Sequence, residues 1–320
     1  MPNADPQPVS HPAQKPAQHP APRTLLTQAL SDRVHAITGT VNCAIVDAGD
    51  GRAVLVDSGQ DKDYGKRIRR ALEALELRLA AIVATHSHAD HFGGNAYLLR
   101  QFPDVEVLAP AIEANLIRAP YLEPVYLFHG ARPLPELTGK WLQAEPSPVH
   151  REVEAGTLEL AGASLTLLDT RGHAHRQLSV LVDGVLLAAD AVFGSETLER
   201  YPLPFAQDVE GQLAAFDVVA ASGADVVLPG HGDATNDLAG LAERNRAAVL
   251  SAADAVTRAC DGGGTEDVLA GVADAMEIVM TDLPRYHLNL CTVSAYLGYL
   301  RSQGRVEAHL THGRLRWVRA

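Results

Sequence analysis

The chain has 320 residues, of which 47% are hydrophobic and 21% charged, and its formal net charge is −12. Its length suits one large domain, or one domain with a smaller second unit. The negative charge repels phosphate and argues against a protein that coats nucleic acid.

The composition also bears on the compartment. No apolar run approaches the roughly 20 residues that a membrane-spanning helix needs, and the N-terminus lacks the charged start and apolar core of a secretory signal. Three separated cysteines, Cys43, Cys260 and Cys291, form no CxxC pair and fit a reducing environment. We therefore expect a soluble, cytoplasmic protein.

Residues 1–24 are rich in Pro, Ala and Gln and almost empty of large apolar groups. Such a segment cannot bury enough surface to offset its ordering entropy, so we predict a disordered tail. His11 and His19 in this tail each precede proline and could bind a metal, but a flexible tail is the simpler interpretation.

Strands and helices are predicted from about residue 33 onward. The runs RVHAITG, VNCAIVDA and RAVLVDSG indicate strands, the last two joined by a hairpin turn at AGDG. Apolar spacing of three and four in DYGKRIRRALEALEL predicts an amphipathic helix, and LAAIVAT predicts a buried strand. A helix (NAYLLRQF) and a strand (VEVLA) follow. The segment 110–150 is too long for an ordinary connection, so we expect a functional loop or cap.

After this segment the pattern predicts more strands, in GTLELAG, ASLTLLDT, QLSVLVDG and VLLAAD, then a helix (GQLAAFDVVAAS) and the strand DVVLPGHG. We infer an α/β catalytic domain over 25–235. Residues 236–320 predict helices and, around THG, two alternating strands. This smaller C-terminal unit resembles a winged helix.

Four potential metal ligands lie close together in the stretch THSHADHFGG, namely His86, His88, Asp90 and His91. His86 and His88 are two positions apart at the end of a strand, so both rings project from one side. Asp90 and His91 follow in the turn into a helix. Imidazole and carboxylate ligands suit Zn²⁺, Fe or Mn²⁺, and their density is compatible with two metal ions.

Further residues of ligand type lie at the ends of later predicted strands. His173 follows ASLTLLDT, Asp190 ends VLLAAD, and His231 lies in the glycine-flanked turn LPGHG. We predict that these three side chains complete the metal site.

The HxHxDH motif, the RGH loop, the strand-ending aspartate and the PGHG turn, in this order from about Val34 to Gly232, resemble the metallo-β-lactamase superfamily and its glyoxalase II-like hydrolases. The resemblance implies an αββα sandwich of two mixed sheets covered by helices. It also implies one metal on His86, His88 and His173 and a second on Asp90, His91 and His231, with Asp190 bridging both. Asp57, in VLVDSG, matches an aspartate that orients these ligands from behind.

Departures from the family pattern narrow the activity. Many members have GHTxGS around the third histidine, whereas this chain has GHAHRQLS, so His175 and Arg176 either contact substrate or are solvated. His88 stands where the flavodiiron branch has glutamate, which argues against that branch. No cysteine occupies a ligand position as in the subclass B1 β-lactamases, which argues against antibiotic hydrolysis. His129, His150, His287, His309 and His312 belong to no such ligand set and have no expected role.

The predicted chemistry is that of a metal-dependent hydrolase. Two metals about 3.5–4 Å apart can share a hydroxide, because coordination lowers the pKa of water toward ~7. We expect attack on a small ester, thioester or lactone, with two zinc ions preferred and manganese or iron as alternatives. Asp90, which could relay a proton to the leaving group, and Asp57 are the expected catalytic residues.

Several alternatives stay open at this point. The same ligand set serves phosphodiesterases and ribonucleases, and five arginines from Arg301 onward give a weak hint of nucleic acid. A persulfide dioxygenase with one iron and a non-catalytic binding module are the others. We expect a small-molecule substrate and no nucleic-acid or membrane partner, and we leave a homodimer open. The aromatics of the cap, Tyr121, Tyr126, Phe128 and Trp141, either line an acyl pocket or pack within the cap.

Overall fold

Two mixed β-sheets form the centre of the computed structural model, which describes residues 27–320. The first sheet has seven strands in chain order: β1 (Gln28–Ala29), β2 (Val34–Ile37), β3 (Cys43–Asp47), β4 (Arg52–Val56), β5 (Arg78–Val83), β6 (Glu106–Pro110) and β7 (Arg151–Val153). Strands β1–β4 pair antiparallel, and β4–β7 pair parallel. The predicted tail, with His11 and His19, lies outside the described residues.

The second sheet has five strands in the order β12-β11-β10-β9-β8. Their bounds are β8 (Gly156–Leu160), β9 (Ala163–Asp169), β10 (Leu178–Val182), β11 (Val185–Ala189) and β12 (Val226–Pro229). Only β11 and β12 pair parallel.

The two sheets face each other across an apolar core. Successive residues of a strand point to opposite faces, and β4 illustrates this. Val54 and Val56 join the core between the sheets, which includes Leu165 and Val180 of the second sheet. Leu55 points to the outer face, where it packs with the helices that cover the first sheet.

Helices cover both outer faces, so the predicted αββα sandwich is confirmed. Those on the first sheet are α1 (Lys62–Ala74), α2 (Ala89–Phe92), α3 (Asn95–Gln101) and α4 (Ala111–Arg118). Those on the second are α7 (Val209–Ala220), α8 (Leu238–Ala259), α9 (Thr265–Ala275) and α10 (Leu283–Ser302), while α6 (Ser195–Arg200) lies in the loop after β11. Within residues 27–320, no helix is long and apolar enough to cross a membrane.

The C-terminal unit consists of α8–α10 and a hairpin, β13 (Val306–Thr311) and β14 (Arg314–Arg319). One apolar cluster runs from Leu186 of β11 through Phe216 and Tyr296 to Trp317 of the hairpin. The helical C-terminal unit predicted from the sequence is therefore present. The division at residue 235 stays a prediction, because this cluster crosses it.

The segment 110–150 is built of short helices joined by irregular stretches. It contains α4, α5 (Leu122–Leu127) and a 3₁₀ turn (Pro135–Thr138), and the short strand β7, which the sequence did not predict, follows it. Leu127, Leu137 and Leu142 form a small cluster that packs against Leu288 and Cys291 of α10. We call this segment the cap.

The cap aromatics divide into two groups. Tyr126 and Phe128 pack against the cap cluster, which agrees with packing within the cap. Tyr121 and Trp141 are exposed.

Candidate metal centre

Three histidine nitrogens converge at one edge of the two sheets. His88 Nδ1 lies 3.1 Å from His86 Nε2 and 2.8 Å from His173 Nε2. We call this group, which could hold one metal ion, the three-histidine half. Ligands that bind zinc at about 2.0–2.1 Å in tetrahedral geometry lie on the order of 3.4 Å apart, so the observed spacing is close to what a metal requires.

A second group lies directly beside the first. Asp90, His91 and His231 offer ligand atoms close enough to share one ion, and His231 Nε2 lies 3.3 Å from Asp90 Oδ2. We call this group the aspartate half. The structure therefore brings together six of the seven residues that the sequence singled out, and Asp190 is the seventh.

Asp190 lies between the two halves. Its Oδ1 is 3.2 Å from His91 Nε2, and its Oδ2 is 3.3 Å from His173 Nε2 and 3.5 Å from His231 Nε2. The preceding residue, Ala189, has a positive φ of 47°, and a Cβ added at Gly230 would collide with Asp190 Oδ1. The small residues around Asp190 thus let its carboxylate reach both halves.

Five of the seven residues of the centre are histidines. In four of them, the ring nitrogen that points away from the centre bonds to a fixed acceptor. These pairs are His86 with Thr85 Oγ1 (3.0 Å), His91 with Asp57 Oδ2 (2.7 Å), His173 with the Phe205 carbonyl (3.2 Å) and His231 with the Thr40 carbonyl (2.6 Å). Because each Nδ1 donates outward, each Nε2 is left to face the centre. Asp57 is 3% exposed and lies behind His91.

Two buried atoms support the fit of a cation. His91 Nε2 and Asp190 Oδ1 lie 3.2 Å from each other but make no hydrogen bond to each other or to another group, although burying an unsatisfied polar atom is costly. Both point into the centre, and both are atoms that a metal ion would bind. The donor set of imidazoles and carboxylates suits zinc, manganese or iron.

The three histidines of the three-histidine half are unprotonated, which favours metal binding. Burial lowers the pKa of His88 to about 4 and that of His173 to about 3, and it lowers the pKa of His86 well below its usual value. These rings are therefore neutral at pH 7, as a metal ligand must be.

The aspartate half is strongly polarised in the absence of a metal. Burial alone would lower the pKa of His231, but Asp190 and Asp90 raise it to about 12. Burial would likewise raise the pKa of Asp90, but His91 and His231 lower it to about 2. A metal ion that binds here must displace protons, so its affinity depends on pH.

The residues that depart from the family pattern lie next to the centre. His175 is exposed, and its backbone N–H donates to Gln207 Oε1. The backbone N–H of Arg176 donates to Glu113. Whether either side chain contacts substrate stays a prediction. The histidines to which we assigned no role are in none of the three possible metal groups.

The sequence missed several partners of the ligands. Asn42 Nδ2 donates to the carbonyls of Pro229 (2.9 Å) and Gly232 (2.7 Å) and so fixes the turn that carries His231. Thr40 acts through a backbone carbonyl, which leaves no signal in the sequence. Glu113 lies in AIEANLIR, a stretch without a motif.

A buried acid in the cap predicts a pH dependence of stability. Glu123 is 5% exposed, and burial, helped by the charges of Asp90 and Glu113, raises its pKa well above the usual value. A pKa that is higher in the folded state than in the unfolded state favours folding at low pH, and this contribution is lost as the pH rises through the folded-state pKa. Metal-free Glu123→Gln should therefore lose less stability than the wild type between about pH 5 and about pH 8.

Urea unfolding of the metal-free proteins at the two pH values measures this effect. Glu136→Gln, which changes an exposed acid of the same cap, serves as the control and should follow the wild type. A loss in Glu123→Gln as large as that of the wild type would contradict the expectation.

Residues 36–231 match the model of a family described as the metallo-beta-lactamase superfamily. A hydroxyacylglutathione hydrolase of Vibrio campbellii is 31% identical over 153 residues, which are 48% of this chain and 43% of that protein. One of Xanthomonas euvesicatoria is 27% identical over 146 residues, covering 46% and 44%. The chain thus spans less than half the length of the curated relatives that it matches.

Two solved structures share the fold over most of their length. A metallo-beta-lactamase family protein of Thermus thermophilus has a TM-score of 0.67 at 23% identity and covers 88% of this chain and 94% of its own. A beta-lactamase domain protein of Burkholderia ambifaria has a TM-score of 0.69 at 19% identity and covers 92% and 93%. Both likenesses therefore extend into the helical C-terminal unit.

Proposed function

Because the chain belongs to the metallo-beta-lactamase superfamily, we propose that its seven clustered ligand residues hold two metal ions and that the protein hydrolyses a small ester, thioester or lactone. The observation that carries this proposal is the position of Asp190. One of its oxygens faces His91 and the other faces His173, so a single carboxylate serves both halves. Bound divalent ions, with zinc preferred, would activate a water molecule and polarise the scissile carbonyl.

The chain's own residues orient the site. Asp57 fixes His91, and the Thr40 carbonyl fixes His231, so the aspartate half is held by two outer acceptors. Asp90 is the most exposed ligand of that half, with a side chain that is 29% exposed. It is therefore the carboxylate best placed to pass a proton to a leaving group.

An apolar wall adjoins the three-histidine half. The ring of Phe205 packs edge-to-face on His88 and His173, with ring centroids 5.4 Å and 5.3 Å away, and Phe193 lies 5.7 Å from His173. Such a wall excludes water from one side of the centre, which strengthens the electrostatic interactions there.

We propose a thioester as the first substrate class to test, because the curated relatives are named hydroxyacylglutathione hydrolases. The experiment compares a hydroxyacyl thioester of glutathione, the matched oxygen ester and a lactone. We expect at least one to be hydrolysed, with turnover lost on chelation and restored by Zn²⁺ or Mn²⁺.

Two results would contradict the proposal. One is turnover that survives complete removal of metal. The other is failure with all three carbonyl substrates while a phosphodiester is cleaved, which would make the protein a phosphodiesterase of the same fold.

A further inference from the structure

Glu113, in the first turn of α4, is a buried carboxylate that the proposed chemistry does not use. It is 1% exposed. Its Oε2 accepts hydrogen bonds from the backbone N–H of Ser87 (3.1 Å) and from Ser87 Oγ (2.5 Å), and its Oε1 accepts one from the backbone N–H of Arg176 (3.1 Å). A carboxylate that only accepts hydrogen bonds can satisfy all three of these donors.

The positions of these donors connect Glu113 to the metal centre. Ser87 lies between His86 and His88, and Arg176 lies three residues after His173. One carboxylate of the cap therefore ties together the two loops that carry all ligands of the three-histidine half. The aspartate half is held differently, by Asp57 and by the Thr40 carbonyl.

The charge of Glu113 also suits a neighbouring cation. Its three donors are two amides and a hydroxyl, all uncharged, so no bond within this group neutralises the carboxylate. A buried charge without compensation is costly.

We propose that Glu113 is a positioning residue of the metal centre, which holds the two loops of the three-histidine half and contributes negative charge behind it. This inference rests on the proposed two-metal function. It makes the cap a part of the metal site and not only a cover over it.

The test measures Zn²⁺ affinity in each half separately, by competition with a chromogenic chelator. His231→Ala disables the aspartate half, and His88→Ala disables the three-histidine half. Adding Glu113→Gln to the His231→Ala background should weaken Zn²⁺ binding about 10- to 100-fold, the effect typical of an outer partner of a ligand. Adding it to the His88→Ala background should leave the affinity unchanged.

Two further variants sharpen the comparison. Glu145→Gln makes the same change at an exposed cap residue that pairs with Arg100, and it should match its parent in both backgrounds. Ser87→Ala removes the hydroxyl donor alone and should give a smaller loss confined to the three-histidine half. It takes the place of Glu113→Gln if that variant does not fold.

Thermal unfolding distinguishes this role from a merely structural one. A structural role predicts a lower Tm for metal-free Glu113→Gln and an unchanged rise of Tm on Zn²⁺ addition. A positioning role predicts a smaller rise on Zn²⁺ addition, because the stabilisation by a ligand at a fixed concentration grows with the logarithm of its affinity.

Several outcomes would overturn the inference. They are an unchanged affinity in the His231→Ala background, an equal weakening in both backgrounds, or an unchanged rise of Tm. If the wild type binds two Zn²⁺ ions, any of these outcomes contradicts only the proposed role of Glu113 and leaves the proposed two-metal function standing. A wild-type protein that binds no Zn²⁺ would overturn the proposed function and this inference together.

Discussion

His88→Ala should abolish hydrolysis while the protein stays folded. His88 Nδ1 is the atom that both other histidines of its half approach, at 3.1 Å and 2.8 Å, so its removal leaves two of the three histidines. The loss of turnover should exceed the roughly 100-fold effect of removing an outer partner of a ligand. Steady-state kinetics on the substrate identified as above, with circular dichroism to verify folding, measures this.

A matched histidine variant makes the result specific. His309→Ala changes an exposed histidine of the C-terminal hairpin, which pairs with Glu307, and it should keep full turnover. Equal turnover in His88→Ala and in the wild type would show that the three-histidine half does not take part in the reaction.

Asp57→Asn should weaken both metal binding and folding. Asp57 Oδ1 accepts from the Thr85 amide (2.8 Å), and Oδ2 accepts from Thr85 Oγ1 (2.9 Å) and His91 Nδ1 (2.7 Å). All three partners donate, so the amide NH₂ of asparagine must face a donor whichever way it turns. We expect a loss of about 1–3 kcal/mol in the free energy of unfolding, the cost of a buried donor left unsatisfied.

The same variant should bind Zn²⁺ about 10- to 100-fold more weakly, because His91 loses the acceptor that orients it. Backbone strain does not confuse this comparison: Asp57 has a φ of +58°, and asparagine tolerates that region.

Asp183→Asn is the matched control, because it makes the same change at an exposed aspartate with a φ of +51° in the β10–β11 turn. Urea unfolding and zinc competition should both leave it at wild-type values. If Asp57→Asn also matched the wild type in both measurements, the role of Asp57 behind His91 would be refuted.

The strands, most helices and the residues of ligand type could be predicted because their signals are local, whereas the αββα arrangement and the assignment of ligands to two metals came from the resemblance to the family. Period-two strands and amphipathic helices follow from the spacing of apolar residues, and His86, His88, Asp90 and His91 stand within one turn. His173, Asp190 and His231 follow later strands, at the edge where the loops of both sheets meet.

The contacts that support these ligands were not predictable in the same way. The Thr40 carbonyl reaches His231 across 191 positions, and a backbone acceptor is independent of residue type. Glu113 bonds to residues 26 and 63 positions away, so its role depends on how α4 packs on the sheet. The helices of the cap were not predicted because prolines lie within or beside them, and proline in a sequence pattern favours a loop.

Metal content per chain, measured by elemental mass spectrometry on protein purified without added metal, tests the central claim most directly. The two halves and the Asp190 that joins them predict about two ions per chain, with zinc, manganese or iron as the elements found. About one iron and no other metal would contradict a two-metal hydrolase and favour the single-iron dioxygenase.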